Sequence, residues 1–365
     1  MMIPEQSRIT QGQFMFFVIQ SQVGVGILTL PHKMQAAAKG GGWISTLIAG
    51  LIVQVIIVIL WGLCRRFPSD TLFSFLPKIT GKLLGSLLGL AYIGYFLLSA
   101  GTILSFFAEI VGKWVLQATP RWALLLLTLL TCIYLVKEPL QVIARLFVIS
   151  SFTIIVMVLL SLFGYANANF TYLFPITDAG WGNIIKAANE ALFPLVGYEV
   201  MLVIYPFVEG KSGGKLKAAS VGNMLIVLFY TFEVFTNLVI FSPAIMPAIS
   251  EPLLYMLKGF SFQIIQRIDL LFLSLWIFIV STAIASWLYM ASVGLGHFFH
   301  RGEHKKAVFY AAFIVFILAL LSEDPSIIDL YDRILKTSHY LFVVVLPLIF
   351  LLFSYLSKKR SALTR

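Results

Sequence analysis

Ser21-Gln22-Val23-Gly24-Val25-Gly26-Ile27-Leu28-Thr29-Leu30-Pro31 lies inside the first long apolar run of the chain, yet it is built to interrupt a helix. Two glycines one residue apart, followed by a proline, make a continuous helix costly there. A second run, Ala191-Leu192-Phe193-Pro194-Leu195-Val196-Gly197-Tyr198-Glu199, sets a proline and a glycine three residues apart beside a carboxylic acid. Taken singly, each has a plain explanation in packing, since glycine is common at helix crossings and proline kinks are tolerated in membranes.

Their positions give the pair more weight. Apolar runs separated by polar breaks fall at 11–37, 43–64, 83–112, 121–136, 141–164, 183–207, 219–241, 267–296, 307–321 and 338–357. The runs are continuous rather than alternating, so they read as helices and not as barrel strands. The interruptions fall in the first and sixth, so each opens a unit of five: 11–164 and 183–357, within one membrane domain covering 1–365. Interrupted helices in corresponding positions of two halves point to an inverted-repeat binding site at the bilayer midplane. No residue-by-residue repeat is visible, so the symmetry rests on the order of segments.

Composition agrees. Of 365 residues, 60% are hydrophobic and 12% charged, with a mean hydropathy of +0.96, against about 25% charged in average soluble domains. Such a chain exceeds what soluble cores hide and fills roughly ten membrane helices of about 20 residues each. It excludes a soluble enzyme, a nucleic-acid-binding domain and a disordered protein. The fold class is therefore an all-α polytopic membrane protein with ten transmembrane helices, in a five-plus-five inverted repeat broken in helices one and six.

The net charge of +10 reflects loop bias rather than nucleic acid. With the N-terminus in the cytoplasm, 17 of the 26 Lys and Arg residues fall on that side, among them Arg8, Arg65, Arg66, Lys211, Lys215, Lys217, Arg301, Lys358, Lys359, Arg360 and Arg365. Both termini are then cytoplasmic, and the acidic connection carrying Glu323, Asp324, Asp329 and Asp332 faces outward. The segment 250–266 is too charged to span and reads as an amphipathic helix on the outer side. The first run reads as a retained span rather than a cleaved signal peptide. Cys64 and Cys132 imply neither a disulfide nor a metal site.

Freed N–H groups at a helix break hold a carboxylate, and freed carbonyls hold a cation or amine, so a zwitterionic amino acid fits such a pair. The candidate ligand-binding backbone is Val23, Gly24, Val25 and Gly26 with Phe193, Pro194, Val196 and Gly197. Glu199, an acid at membrane depth, is a candidate proton-linked switch, a bracket between the two broken segments or an amine partner; a protonated structural hydrogen bonder is the plain alternative. Glu190 is placed in an access vestibule and Glu109 at the interface, while Glu233 pairs within the bundle beside Asn237. Tyr92, Tyr95 and Ser99 share one helical face. His297, His300 and His304 have a spacing able to gather a metal, but at a charged turn they read as a solvated loop. No cofactor motif, hydrolase triad or phosphate loop is present.

At this point the residues resemble a family. Gly24-Val25-Gly26-Ile27-Leu28-Thr29-Leu30-Pro31 is similar to the G-x-G-[IL]-L-x-L-P stretch of bacterial spore-germinant receptor B subunits, members of the amino acid–polyamine–organocation transporter superfamily. Gly197-Tyr198-Glu199-Val200-Met201-Leu202 resembles their sixth-span stretch, followed by Pro206, Glu209 and the basic loop Lys211 to Lys217. Gly81-Lys82-Leu83-Leu84-Gly85 and Leu346-Pro347-Leu348-Ile349-Phe350 also look similar, so the resemblance covers essentially the whole chain.

The resemblance implies a LeuT-like fold and a membrane subunit that recognises a small germinant, an amino acid or another small molecule. It implies partners as well, a receptor A subunit and a lipoprotein C subunit, in the lipids of the spore inner membrane. In that fold the third span faces the site, which puts Tyr95 and Ser99 against ligand. Hydroxyls at Ser281 and Thr282 match positions that complete an ion site in sodium-coupled relatives; bonding to their own helix is the plainer reading. Proton-coupled members place a Lys in the fifth span, where this chain has only Arg145 near the start. An autonomous proton- or sodium-coupled amino acid transporter is the alternative function, and a scaffold with a vestigial pocket a third.

Overall fold

A backbone in lipid must satisfy its own hydrogen bonds, and this chain does so with helices. The computed structural model describes residues 8–260, 267–300 and 302–356. Helix α1 (Gln11–Gln22) starts at a reciprocal cap, where the Thr10 hydroxyl accepts from Gln13 N–H and the Gln13 side chain accepts from Thr10 N–H. After a three-residue gap come α2 (Gly26–Ala38), a tight turn at Lys39–Gly41 and α3 (Gly42–Arg66). The short α4 (Leu72–Thr80) precedes α5 (Lys82–Trp114), α6 (Arg121–Val136) and α7 (Leu140–Ser161). The second half contains α8 (Trp181–Leu192), α9 (Val200–Ile204), α10 (Ser212–Ile240), α11 (Pro252–Lys258), α12 (Ile268–Phe299) and α13 (His304–Leu321). Last come α14 (Pro325–His339), a wide π-type turn over Tyr340–Val345 and α15 (Leu346–Leu356).

Each of the ten apolar segments is mainly helical over its described residues. By length and apolar composition, seven helical stretches among the described residues are able to cross a membrane, or eight when Trp181–Leu195 and Val200–Phe207, bent by 43°, count as one broken span. This is below ten for physical reasons. α1 has only 12 residues before its break, α6 has 16 against the about 20 of a full crossing, and α2 runs through its turn into α3. The chain is an integral membrane protein. Its lipid-facing surface keeps large apolar side chains outward, such as Leu51, Leu83 and Phe313.

The basic loops gather at one end. Ile9 pairs with Val208, Trp61 Nε1 donates to the Ser212 carbonyl (2.9 Å), and Arg66 donates to the Ser354 carbonyl (2.6 Å) while lying over the Tyr355 ring. Lys39–Asp178 and Lys113–Glu251 ion pairs sit at the other end. Arg301, Lys358, Lys359, Arg360 and Arg365 lie outside the described residues.

Two connections differ from their sequence reading. The acidic stretch at 323–332 is largely helix: Asp324 caps α14 through Ser326 N–H (2.8 Å), and Ile327, Ile328, Tyr331, Ile334 and Leu335 recur at helical spacing where a count of charges sees only a loop. The 250–266 segment contains α11, whose Leu253, Leu254, Met256 and Leu257 are buried against the bundle rather than resting on its surface; residues 261–266 lie outside the described residues. Pro31 does not break α2, which continues through it.

Candidate functional site

Two breaks meet at the centre. α1 stops because Val23 turns extended (φ −82°, ψ 109°), and α2 restarts at Gly26 with no side chain capping its first turn. In the sixth segment α8 ends at Leu192, Phe193–Leu195 make one tight turn, and Val196 is extended (φ −66°, ψ 158°). Gly197 then adopts φ +127°, a conformation open to glycine alone in practice. The breaks interlock. A Cβ on Gly26 would stand 2.6 Å from Pro194 Cβ, and one on Gly197 would overlap the Ser21 carbonyl.

α10 braces the first break. Gln22 Nε2 donates to the Leu195 carbonyl (2.9 Å) and to Asn223 Oδ1 (3.2 Å). Gly24 N–H donates to Tyr230 Oη (3.3 Å), whose hydroxyl donates to the Gln22 carbonyl (3.4 Å).

A cavity of about 160 Å³ opens against these breaks. At roughly 10–15 Å³ for each water-sized occupant, it admits on the order of ten heavy atoms, the size of a small amino acid. Gly26, Thr29 and Lys33 line it along one face of α2, and Ser99, Ile103, Phe106 and Ile110 along one face of α5. The walls between are Phe193, Pro194, Val196 and Trp287, and Asp332 contributes from α14. From Gly26 to Lys33 the cavity runs about 10 Å along the helix. The uncapped N-terminus of α2 supplies N–H groups and the positive end of a helix dipole to an anion.

Of the residues singled out from sequence, Gly24, Val25, Gly26, Ser99, Phe193, Pro194 and Val196 line this cavity. Val23 is fully buried beside it with its N–H on the Ile19 carbonyl. Gly197 is spent on the contact with Ser21. Tyr95 turns to a different task.

Tyr95 belongs to a buried polar cluster around Glu199. Its hydroxyl donates to Glu199 Oε1 (3.0 Å), and Gly197 N–H donates to Oε2 (2.5 Å). His339 Nδ1 lies 3.3 Å from Oε1, and Tyr198 Oη lies 3.3 Å from His339 Nε2. Glu199 and His339 are 0% and 3% exposed. A carboxylate so placed is tolerable only because each oxygen accepts a bond and an imidazole stands beside it. The cluster ties the second break to α5 and to the end of α14. His339 was not among the sequence candidates: it stands 140 residues from Glu199 and shares no spacing with it. The sole signal was a histidine beside the start of the tenth apolar segment.

The remaining candidates lie elsewhere. Glu190 is 42% exposed and pairs with Lys336 at 3.4 Å. Thr282 Oγ1 donates to Gln20 Oε1 (2.5 Å), and Gln20 Nε2 donates to Ser151 Oγ (3.0 Å), so one amide links α1, α7 and α12. Ser281 Oγ donates to its own helix at the Ile277 carbonyl (2.7 Å). Both residues line a larger cleft of about 820 Å³ between α6, α7 and α12, where Leu127 and Tyr134 are exposed. Glu233 is fully buried and accepts from Ser161 Oγ (2.8 Å), while Asn237 bonds its backbone carbonyl. Glu109 is exposed. His300 stacks on Tyr310 and His304 meets Tyr289 edge-on, and no group of three metal-ligating side chains forms among the described residues.

Residues 8–328 match the family described as "Spore germination protein". The chain belongs to that family. Spore germination protein GerQB of Bacillus cereus is 26% identical over 96% of this chain and 97% of its own length. Spore germination protein A2 of Bacillus subtilis (strain 168) is 27% identical, covering 95% of each. The fold is that of LeuT-like transporters. A Na+-coupled sialic acid symporter in a substrate-bound outward-open state superposes with a TM-score of 0.71 at 13% identity, over 93% of this chain and 80% of the symporter. MhsT in complex with L-phenylalanine gives 0.67 at 15% identity, over 97% of this chain and all of MhsT. The family is that of spore germination proteins, and the fold is one shared with transporters.

Proposed function

We propose that this chain is the membrane subunit of a nutrient germinant receptor and that it binds a small germinant, an amino acid, in the cavity between the two breaks. The observation that carries the reading is that cavity: the uncapped start of α2, with Gly24, Val25 and Gly26, lines a space of amino acid size together with Phe193, Pro194 and Val196 and with Ser99, Ile103 and Phe106 of α5. The ligand's carboxylate meets the N-terminus of α2, and its apolar side chain meets Ile103, Phe106 and Ile110. Relatives named as spore germination proteins and a fold neighbour bound to L-phenylalanine support it. On this reading 11–164 and 183–357 are inverted repeats, both termini are cytoplasmic, and the chain works in the spore inner membrane with an A subunit and a lipoprotein C subunit. Glu199 is the switch that passes occupancy of the cavity to α5 and α14, and Glu190 with Lys336 flanks the approach.

Likeness to a Na+-coupled symporter favours a second reading, an autonomous proton- or sodium-coupled amino acid transporter, with Ser281 and Thr282 at a coupling-ion site. The engagement of Thr282 with Gln20 supports the receptor instead. Purified protein in proteoliposomes, given a panel of labelled amino acids with and without proton or sodium gradients, separates the two. Saturable binding without accumulation is expected. Gradient-driven accumulation would establish the transporter, and no binding of any amino acid would remove the ligand class.

A further inference from the structure

The cleft between α6, α7 and α12 is a second concavity, separate from the central cavity and open on the outside of the bundle: its lining residues Leu127, Tyr134 and Phe278 are 61%, 78% and 39% exposed. Its polar residues have no proton to spare for a polar ligand. The hydroxyls of Thr128, Thr131, Ser274 and Ser281 each donate to a carbonyl of their own helix. Thr282 is engaged with Gln20, and Cys132 Sγ with the Ser281 carbonyl (3.4 Å). Hydroxyls folded back in this way leave a wall suited to hydrocarbon.

Length and charge narrow the occupant further. From Leu127 to Glu138 the cleft follows α6 for about 16 Å, half of the roughly 30 Å hydrocarbon thickness and so the depth of one leaflet. The mouth at the turn from α6 to α7 is basic. Lys137 and Arg145 are both exposed, and Arg145 stands on α7 beside Val142 and Leu146, which line the cleft. Against these two cations the lining holds one acid, Glu138. Tyr134, one turn from Lys137, suits the level where tyrosines meet headgroups. Membrane helices associate through small residues that let their backbones approach. Large exposed side chains at 127, 134 and 278 hold a helix off, yet leave room between them for a flexible methylene chain.

We propose that this cleft is a phospholipid site: one acyl chain lies along α6 between α7 and α12, and the anionic headgroup rests on Lys137 and Arg145. Ser281 and Thr282 line the cleft, and Thr282 bonds Gln20 near the end of α1 (2.5 Å). A chain lying there packs on the stretch of α12 that tethers α1 just before its break. The site is independent of what the central cavity binds.

Native mass spectrometry of the purified full chain, titrated with dioleoylphosphatidylglycerol or dioleoylphosphatidylcholine, reads the affinity of successive lipids. One phosphatidylglycerol is expected to bind about tenfold or more tighter than the next. Thr131→Trp, at an exposed position of α6, fills the cleft and removes that tight step while the weaker steps persist. Arg145→Gln, an exposed change that spares the fold, lowers the preference for phosphatidylglycerol over phosphatidylcholine about fivefold. Equal successive steps in the wild type overturn the site, as does a tight step that survives Thr131→Trp. An unchanged preference in Arg145→Gln overturns the headgroup contact, and this variant with the wild type decides the matter if Thr131→Trp does not fold. Cross-linking of Tyr134→Cys to another membrane protein in place of bound lipid would make the cleft a helix-docking face and overturn the proposal.

Discussion

The two breaks look alike in sequence and differ in what completes them. At the first, residues 23–25 leave the start of α2 without a side-chain cap, and the open N–H groups face a cavity. At the second, the Glu199 carboxyl reaches back to the Gly197 N–H and is held by Tyr95 and His339. Neither α2 nor α9 has a side-chain cap; what differs is that the polar groups of the second break are tied into the Glu199 cluster, whereas the start of α2 borders the cavity. On the proposed function, this asymmetry divides the labour, with binding at the first break and transmission at the second.

The sharpest way to break this division is Gly26→Trp. With Pro194 Cβ 2.6 Å and Pro194 Cα 3.0 Å from where a Cβ would stand, the indole forces the two breaks apart, so amino acid binding falls by more than about 100-fold and the unfolding temperature falls with it. Unchanged binding would take the first break out of the site. At the second break, His339→Leu leaves a buried carboxylate without its imidazole and lowers stability by about 3 kcal/mol. Combined with Glu199→Gln the losses do not add, with a coupling of about 1–2 kcal/mol in thermal unfolding. Additive losses would mean that the two side chains are merely neighbours.

Gly197→Ala places a side chain at φ +127° and against the Ser21 carbonyl, for a loss of about 2–3 kcal/mol read as a lower unfolding temperature. A variant of wild-type stability would mean that the second break is plastic. The smallest effect is expected at Thr282→Val, about 1 kcal/mol from the lost bond to Gln20, with binding equal in sodium and choline buffers. A sodium requirement abolished by this variant would favour the transporter.

How much of this was legible in sequence follows from the physics of each residue. Glycine and proline at mid-segment have few uses in lipid, so Gly24, Gly26, Pro194 and Gly197 announced both breaks. Glu199 drew notice for the cost of its charge. Gln22 did not, because a neutral amide in an apolar run leaves no periodic or charge signal, although it joins the two breaks through the Leu195 carbonyl. His339 needed the fold to bring it across 140 residues. Tyr95 and Ser99 share a face, as their spacing says, yet four residues of rise are enough to put one in the latch and the other in the cavity wall.

The most direct test of the account is a structure of the purified protein solved with a saturating amino acid from the binding panel. Density between Gly24–Gly26 and Phe193–Val196, touching the start of α2, is the predicted result. Amino acid density in the cleft between α6, α7 and α12, or an empty central cavity while binding is saturated, would contradict it.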